Sequence, residues 1–307
     1  MSAYAQALET DRRLLWGLCY RMTGNAADAD DLVQETFVRA IEKPPRRTDE
    51  PLRPWLLRVA MNLSRDLLRR RKRQHYVGPW LPSPVPTDEE SPASYEPPAP
   101  SEDSPVSRYD LKESVSFAFL LALEALSPSQ RAVLLLRDVF DYSTSDTAEA
   151  LDLSEANVKV LLLRARRKMK EYDKTRTLSN AVREQATHRA LEQFLLYLGA
   201  RDAAGLERLL AEDVVSLTDG GGEVDAARRP IVGRSKVLRL IIGLAKKSLV
   251  KPRFEVRRLN TLPSIIIEDI ATRSTAANRY TIHFDVNDRG EIRGLYAVLA
   301  PSKLTAV

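Results

Sequence analysis

The sequence predicts a multidomain protein in which two all-α segments precede an α+β segment. Residues 76–110 hold nine of the eighteen prolines, with many Ser, Asp and Glu, so they cannot form a helix interior or a central strand. Helical apolar periodicity occupies both sides of this stretch, and the last part of the chain becomes rich in β-forming residues. We therefore expect domains at 1–75, 111–176 and 183–307, with 76–110 as an extended linker that is acidic in its second half.

Composition limits the classes of protein to consider. The 307-residue chain has a formal net charge of +5, which permits a nucleic-acid partner without establishing one. Cys19 is the only cysteine, so no disulfide within the chain and no cysteine-based metal cluster can form, which fits a reducing cytoplasm. The N-terminus lacks the pattern of a signal peptide, and the apolar runs are too short to span a bilayer. We expect a cytoplasmic protein with no membrane association, no cofactor and no metal site.

The first helical segment predicts an acidic helix face. Over Ala26–Glu42, an apolar stripe with Val33 and Phe37 occupies one side of the helix. The opposite side carries carboxylates: Asp28, Asp31 and Glu35, with Asp30 close by. Two interpretations remain open, namely an ordinary solvated surface or a docking surface for a basic partner.

A helix from about Trp55 to Arg73 predicts a basic face. Its exposed polar residues recur at helical spacing: Arg58, Asn62, Arg65 and Arg69, with Asp66 beside them. The helix closes on five consecutive cations, Arg69, Arg70, Arg71, Lys72 and Arg73. Cations at a helix C-terminus are favourable in their own right, so part of this cluster can be structural. Five in a row repel one another unless a polyanion is near, which favours contact with nucleic acid.

The second helical segment predicts a helix-turn-helix. Ser127 caps a helix over 128–139, a short helix follows over 146–151, and Ser154 caps a helix from Glu155 to about Glu171. The last helix places its core residues on one side, Val158, Leu162, Ala165 and Met169. Polar residues that could reach DNA lie elsewhere on it: Asn157, Lys159, Arg164, Arg166, Arg167 and Lys168. The alternative is an ordinary helical hairpin with a solvated basic face.

Two details of this segment are unusual for a DNA-reading hairpin. Asp152 occupies the turn, where glycine would more readily adopt a left-handed conformation. Val160, Leu161 and Leu163 lie off the core side, so they either touch thymine methyl groups or pack on another part of the protein.

The third segment predicts helices at about 186–198, 202–211 and 233–247, together with a curved sheet. The strand candidates are Val214–Leu217, Phe254–Arg258, Ser264–Glu268, Arg279–Asp285 and Ile292–Leu299. Asp219, Gly220, Gly221 and Gly222 form a loop that is either a simple hairpin turn or a contact surface for the linker or the helical domains. His283 and Asp285 share one side of a strand, but a lone His-Asp pair is weak evidence for catalysis, and we expect no enzymatic activity.

These motifs together resemble a known family. Asp28-Ala29-Asp30-Asp31-Leu32-Val33-Gln34-Glu35 and Pro54-Trp55-Leu56-Leu57-Arg58-Val59-Ala60-Met61-Asn62 are similar to the sigma-two domain of extracytoplasmic-function (ECF) sigma factors. Leu126-Ser127-Pro128-Ser129-Gln130-Arg131 and Arg164-Ala165-Arg166-Arg167 are similar to the sigma-four domain. The resemblance implies an alternative RNA polymerase sigma factor that directs promoter-specific transcription initiation.

The resemblance also assigns roles to the surfaces described above. The acidic face would dock on the clamp helices of core RNA polymerase, and the sigma-four domain would meet the polymerase flap. The 43–54 loop and the face with Asn62, Arg65, Asp66 and Arg69 would open and read the minus-10 element of promoter DNA. Helix 155–170 would read the minus-35 element.

The linker and the third segment resemble the ECF subgroup with a fused C-terminal SnoaL-like cone domain. The carrying motifs are Tyr76-Val77-Gly78-Pro79-Trp80-Leu81-Pro82, Asp219–Gly222 and Ala300-Pro301-Ser302-Lys303-Leu304. In this subgroup a basic residue usually follows the glycines, where Glu223 stands, and the last motif usually reads Asn-Pro-Asp-Lys-Leu. The resemblance implies that this domain regulates the sigma domains through intramolecular contacts, so no separate anti-sigma factor is expected. Trp80, Leu81, Pro82 and Asp219–Gly222 are the candidate regulatory contacts.

A hypothesis from another class is a SnoaL-like enzyme or ligand sensor that helical segments tether to DNA. The acidic face on residues 28–35 distinguishes the two, because a DNA tether has no use for it whereas polymerase docking does.

Overall fold

The computed structural model describes residues 3–44, 52–73, 76–87, 108–176, 181–247, 253–268 and 276–307. The chain divides into two compact units, a helical unit of residues 1–75 and 89–176 and a C-terminal unit of residues 76–88 and 177–307. The first residues of the predicted linker, 76–87, therefore belong to the C-terminal unit. Most of its acidic half, together with most of the 43–54 loop, lies outside the described residues. Over the described ranges, no helix combines the length and the apolarity needed to cross a membrane.

The helical unit begins with three helices that pack on one another. Gly24 has a φ of +63° and ends the first helix, and the Asn25 side chain accepts a hydrogen bond from the Asp28 backbone at 3.3 Å to start the second. The fully buried Cys19 lies in the core of this group, and burial raises the pKa of its thiol to about 12. The helices are α1 (Ala3–Thr23), α2 (Ala26–Glu42) and α3 (Leu52–Arg73).

Side-chain caps also start helices in the second helical group. Ser127 and Gln130 form a reciprocal capping box at the start of a helix, and Ser143 with Asp146 forms another. Asp152 adopts the left-handed conformation, with φ 54° and ψ 54°, so an aspartate makes the turn for which glycine is better suited. After a short 3-10 helix (Glu113–Val115), the helices are α4 (Phe117–Leu123), α5 (Pro128–Asp138), α6 (Thr144–Leu151) and α7 (Glu155–Thr175).

The C-terminal unit places helices against one six-stranded sheet, in the strand order β2-β1-β6-β5-β4-β3. Strands β1 and β6 are parallel, and the remaining neighbours are antiparallel. The elements are α8 (Ala181–Ala200), α9 (Ala203–Leu209), β1 (Leu210–Asp219), β2 (Ile231–Val232), α10 (Arg234–Lys247), β3 (Arg253–Leu259), β4 (Leu262–Glu268), β5 (Arg279–Val286) and β6 (Ile292–Val298).

Apolar side chains fill the space between the helices and the sheet. Phe194 of α8 lies against Phe284 of β5, with ring centroids 5.1 Å apart, and Val237, Ile265 and Ile292 are fully buried in the same core. The predicted helix at 202–211 extends too far, because the chain turns into β1 at Leu210. The five strand candidates fall on β1, β3, β4, β5 and β6.

Candidate functional site

The acidic residues of α2 divide into two pairs. Asp28 forms an ion pair with Arg71 of α3, and Asp30 accepts a hydrogen bond from the Trp16 indole at 2.9 Å. Burial raises the pKa of Asp30 above its ordinary value. Asp31 and Glu35 are exposed one turn apart, although Glu35 also contacts Arg39 of its own helix at 2.8 Å. The exposed carboxylates of this face are therefore those of Asp31 and Glu35.

The basic face of α3 is partly occupied by α6. Arg58 forms an ion pair with Glu149 at 3.1 Å, and Arg65 donates to the Leu151 carbonyl oxygen at 3.1 Å. Burial lowers the pKa of the half-buried Arg65, which remains a cation. Two of the residues proposed to read DNA thus contact the second helical group.

The remaining candidates on α3 differ in their exposure. Arg65 also donates to the Asn62 side-chain oxygen at 3.3 Å, which holds the amide on this face. Arg69 forms an exposed ion pair with Asp66 at 3.0 Å, and Arg70 is exposed beside it. This end of the basic face is the part left open to solvent.

Two buried arginines connect the helical groups, and we call their contacts the joint. Arg21 of α1 is fully buried and donates to the Ser114 hydroxyl at 2.7 Å and to the Leu111 carbonyl at 2.9 Å. Arg131 of α5 donates to the Met22 carbonyl at 2.7 Å.

Arg131 also binds its own helical group. It donates to the Leu123 carbonyl at 2.8 Å and to the Glu124 carboxylate at 2.7 Å. Sequence reasoning missed the joint, although an arginine inside the apolar run Tyr20-Arg21-Met22 was a signal of a buried cation.

Only some of the basic side chains of α7, the last helix of the predicted helix-turn-helix, contact other residues of the second helical group. Arg166 makes a bidentate contact with the buried Asp138, at 2.6 and 2.9 Å, and Lys168 donates to the Ala125 carbonyl at 2.8 Å. The other candidates on this helix are exposed, and none of their side chains makes a hydrogen bond or ion pair to another described residue: Asn157, Lys159, Arg164 and Arg167.

A second cluster of polar residues lies in the C-terminal unit, and we call it the clasp. Asp219 at the end of β1 is fully buried; it accepts hydrogen bonds from the Tyr76 hydroxyl at 2.5 Å and the Leu81 backbone at 2.8 Å. The Lys303 ammonium contacts the Asp219 carboxylate at 2.6 Å and the Leu81 carbonyl at 2.6 Å. The same ammonium lies 4.5 Å from the centroid of the Trp80 ring, as in a cation–π contact.

The glycine loop fits closely around the clasp. Gly221 and Gly222 have φ of +62° and +81°, values that favour glycine. A Cβ on Gly220 would lie 2.6 Å from the Val224 carbonyl oxygen, and one on Gly222 would lie 3.3 Å from Val77 of the linker. The loop is therefore a tight turn that also lies against the linker.

The linker continues from the clasp along the sheet. Residues 81–86, which include Pro82, are buried. The Asn260 backbone N–H donates to the Val85 carbonyl oxygen at 2.9 Å, and the Val85 backbone N–H donates to the Asn260 side-chain oxygen at 3.0 Å. The Thr87 backbone N–H donates to the Arg258 carbonyl oxygen at 2.9 Å. Twelve residues of the predicted linker thus pack as part of the C-terminal unit.

The His-Asp pair of β5 does not form a catalytic set. Both ring nitrogens of His283 contact hydroxyls, those of Ser264 at 2.8 Å and Thr281 at 3.1 Å. Burial lowers the pKa of His283 to about 3, so the ring stays neutral. Asp285 accepts a hydrogen bond from Arg293 at 2.7 Å. Across the described residues, no group of three or more His, Cys, Asp or Glu side chains could hold a metal ion.

Comparison with known proteins gives matches to both helical groups and to the whole chain. The family model of Sigma-70 region 2 matches residues 8–74, and that of Sigma-70, region 4 matches residues 116–169. The ECF RNA polymerase sigma factor SigJ of Mycobacterium tuberculosis is 32% identical over 241 residues, which cover 78% of this chain and 72% of SigJ. The crystal structure of M. tuberculosis SigJ matches with a TM-score of 0.71, 26% identity and 98% coverage of each chain.

A second curated relative matches more closely over a shorter stretch. The ECF RNA polymerase sigma factor SigG of M. tuberculosis is 39% identical over 213 residues, which cover 66% of this chain. The matched segment spans 56% of the length of SigG.

Proposed function

Because this chain belongs to the ECF RNA polymerase sigma factors, we propose that it docks on core polymerase through Asp31 and Glu35 and reads promoter DNA with α3 and α7. The family directs transcription initiation and is not a family of enzymes. The two helical groups are its sigma domains, and the C-terminal unit is a SnoaL-like α+β domain.

The observation that carries the proposal is the outward surface of α7. Its buried side packs in the second helical group, whereas Lys159, Arg164 and Arg167 point to solvent from a helix that Ser154 caps and Asp152 positions. A helix-turn-helix presents such a surface to the major groove, where cations contact phosphates and base edges. Reading of the minus-35 element is the role that this surface supports.

The acidic surface of α2 supports the docking part of the proposal. Asp28 and Asp30 are engaged inside the first helical group, so they hold α2 in place. Asp31 and Glu35 remain at the surface, where a basic partner could approach both carboxylates from one side. We assign polymerase contact to these two residues and a supporting role to the other two.

We propose that the minus-10 surface of α3 becomes fully available only when the helical groups separate. Arg58 and Arg65 contact α6, so DNA and the second helical group compete for the same guanidinium groups. The exposed end with Arg69 and Arg70 does not compete in this way.

The C-terminal unit is proposed to regulate the sigma domains by holding the linker. The clasp binds the linker through Tyr76, Trp80 and Leu81, which shortens the chain available to connect the two sigma domains. That no separate anti-sigma factor is required stays a prediction, as does a cytoplasmic location.

The docking surface is tested by a charge-reversed variant, Asp31→Lys with Glu35→Lys. Glu207→Lys with Glu212→Lys is the matched control, because it makes the same charge change at two exposed positions outside the helical unit. In a pull-down with core RNA polymerase and in run-off transcription, we expect the first variant to lose binding at least tenfold and the control to retain it. Equal binding by both variants would show that docking does not use this face.

A further inference from the structure

The outward side of α7 has an apolar centre. Residues at positions 156, 160, 163 and 167 recur at helical spacing, and this line lies opposite the fully buried Val158, Ala165 and Met169. Val160 is 44% exposed and Leu163 is 64% exposed. Large apolar side chains therefore occupy the middle of the surface that a helix-turn-helix turns toward DNA.

Charged residues frame this apolar line on both sides. Lys159 lies on one flank and Arg164 on the other, and Arg167 continues the line itself. The neighbouring Leu161 is only partly exposed, so it belongs to the edge of the core and not to this line. A ligand that fits the surface must offer anionic groups at its borders and an apolar feature between them.

Duplex DNA offers that combination in its major groove. Phosphates line the groove, and among the four bases only thymine presents a methyl group on the groove floor. Arginine, asparagine and glutamine recognise purines through paired hydrogen bonds, which valine and leucine cannot make. Val160 and Leu163 are about 4.5 Å apart along the helix axis, close to the spacing of about 3.4 Å between base pairs.

We propose that Val160 and Leu163 are specificity-determining residues that contact thymine methyl groups at neighbouring base pairs of the minus-35 element. Lys159, Arg164 and Arg167 hold the flanking phosphates and fix the depth of the helix in the groove. This inference rests on the proposed function, because it requires α7 to be the minus-35 reading helix.

The first experiment uses holoenzyme assembled from the full chain and core RNA polymerase. Promoter fragments with a randomised minus-35 region are selected for binding, and we expect thymine to be enriched at two neighbouring base pairs. Each enriched thymine is then replaced by deoxyuridine, which removes the methyl group and leaves every hydrogen-bonding group unchanged. Affinity should fall roughly fourfold per methyl, the factor that corresponds to burial of one methyl-sized group.

The matched variants separate methyl recognition from general damage. Val160→Ala with Leu163→Ala should bind thymine and deoxyuridine promoters equally and should keep its affinity for core polymerase. Val232→Ala with Leu196→Ala removes a valine and a leucine that are exposed in the C-terminal unit, and it should discriminate as the wild type does.

The outcomes distinguish the two proposals. If the holoenzyme protects a promoter but tolerates deoxyuridine as well as thymine, the methyl contacts do not exist and the sigma-factor proposal stands. If the Val160→Ala, Leu163→Ala variant still discriminates, other residues read the methyl groups. If the holoenzyme selects no sequence at all, the minus-35 role of α7 fails, and this inference fails with it.

Discussion

The joint and the clasp both bury cations that connect distant parts of the chain, but they neutralise them differently. In the joint, carbonyl and hydroxyl oxygens accept hydrogen bonds from Arg21 and Arg131, and Arg131 also contacts the Glu124 carboxylate, whose side chain is 41% exposed. In the clasp, Lys303 meets the fully buried carboxylate of Asp219. Water can replace neutral acceptors when a contact opens, whereas a buried ion pair leaves an unpaired charge if one partner is lost. The joint is therefore the contact better suited to open and close, and the clasp to remain closed.

The joint and the clasp also differ in which parts of the molecule they hold. Arg58 and Arg65 of α3 contact α6 of the second helical group, and we assign both residues to minus-10 reading. Opening the joint, which connects the same two helical groups, therefore changes what α3 can bind. The clasp fixes the linker and the glycine loop within one unit. We therefore expect DNA binding to change when the joint opens, while the clasp remains formed.

The largest effect is expected from Lys303→Met, which leaves the Asp219 carboxylate buried without its cation. Breaking a buried ion pair from one side costs about 3–5 kcal/mol, so the C-terminal unit should lose that much free energy of unfolding. Chemical denaturation of the full chain, followed by tryptophan fluorescence, measures it. Trp80 lies against Lys303 and reports on this unit.

Two further variants test whether charge is the cause. Lys236→Met removes an exposed lysine of α10 and should change the unfolding free energy by less than about 0.5 kcal/mol. Adding Asp219→Asn to Lys303→Met removes both charges and should recover part of the loss. A loss below about 1 kcal/mol in Lys303→Met would mean that the clasp is not held by this ion pair.

A smaller effect is expected from Arg131→Met in the joint. The substitution removes the Arg131 donor from the Met22 carbonyl oxygen, whereas the Leu123 carbonyl oxygen still accepts from the Leu126 backbone N–H. It also removes a charge that burial disfavours. We expect a loss of about 2 kcal/mol in the free energy of unfolding of the helical unit. Arg164→Met, at an exposed position of α7, should leave stability unchanged and weaken DNA binding, with a salt dependence reduced by about one charge. Equal stability losses in the two variants would contradict the assignment of Arg131 to the joint.

Local sequence signals predicted much of this fold. Ser127 and Ser154 cap their helices through hydrogen bonds to the backbone three residues later, so both caps can be predicted from the local sequence. The periodicity of α7 correctly placed Val158, Ala165 and Met169 in the core. The family, the fold class and the transcription role were confirmed, because long ordered motifs carry that information.

Contacts between residues far apart in the sequence could not be predicted from local patterns. Periodicity indicated that Arg166 lies off the core side of α7, but not that Asp138, 28 residues earlier, binds it. Two of the positions where the chain departs from the subgroup pattern, Glu223 and Ser302, contact each other through hydrogen bonds although they lie 79 residues apart.

The smallest effect is expected from Glu149→Ala, which removes the carboxylate of α6 that pairs with Arg58 of α3. The ion pair is exposed and contributes at most about 1 kcal/mol, so stability should not change measurably. The freed guanidinium can then contact a phosphate, and binding of the full chain to a fork-junction DNA without a minus-35 element should tighten two- to fivefold at low salt. Glu9→Ala is the matched control, because it frees Arg12 of α1 and no residue of α3. If the two variants tighten DNA binding equally, the gain comes from net charge alone, and α6 does not compete with DNA for α3.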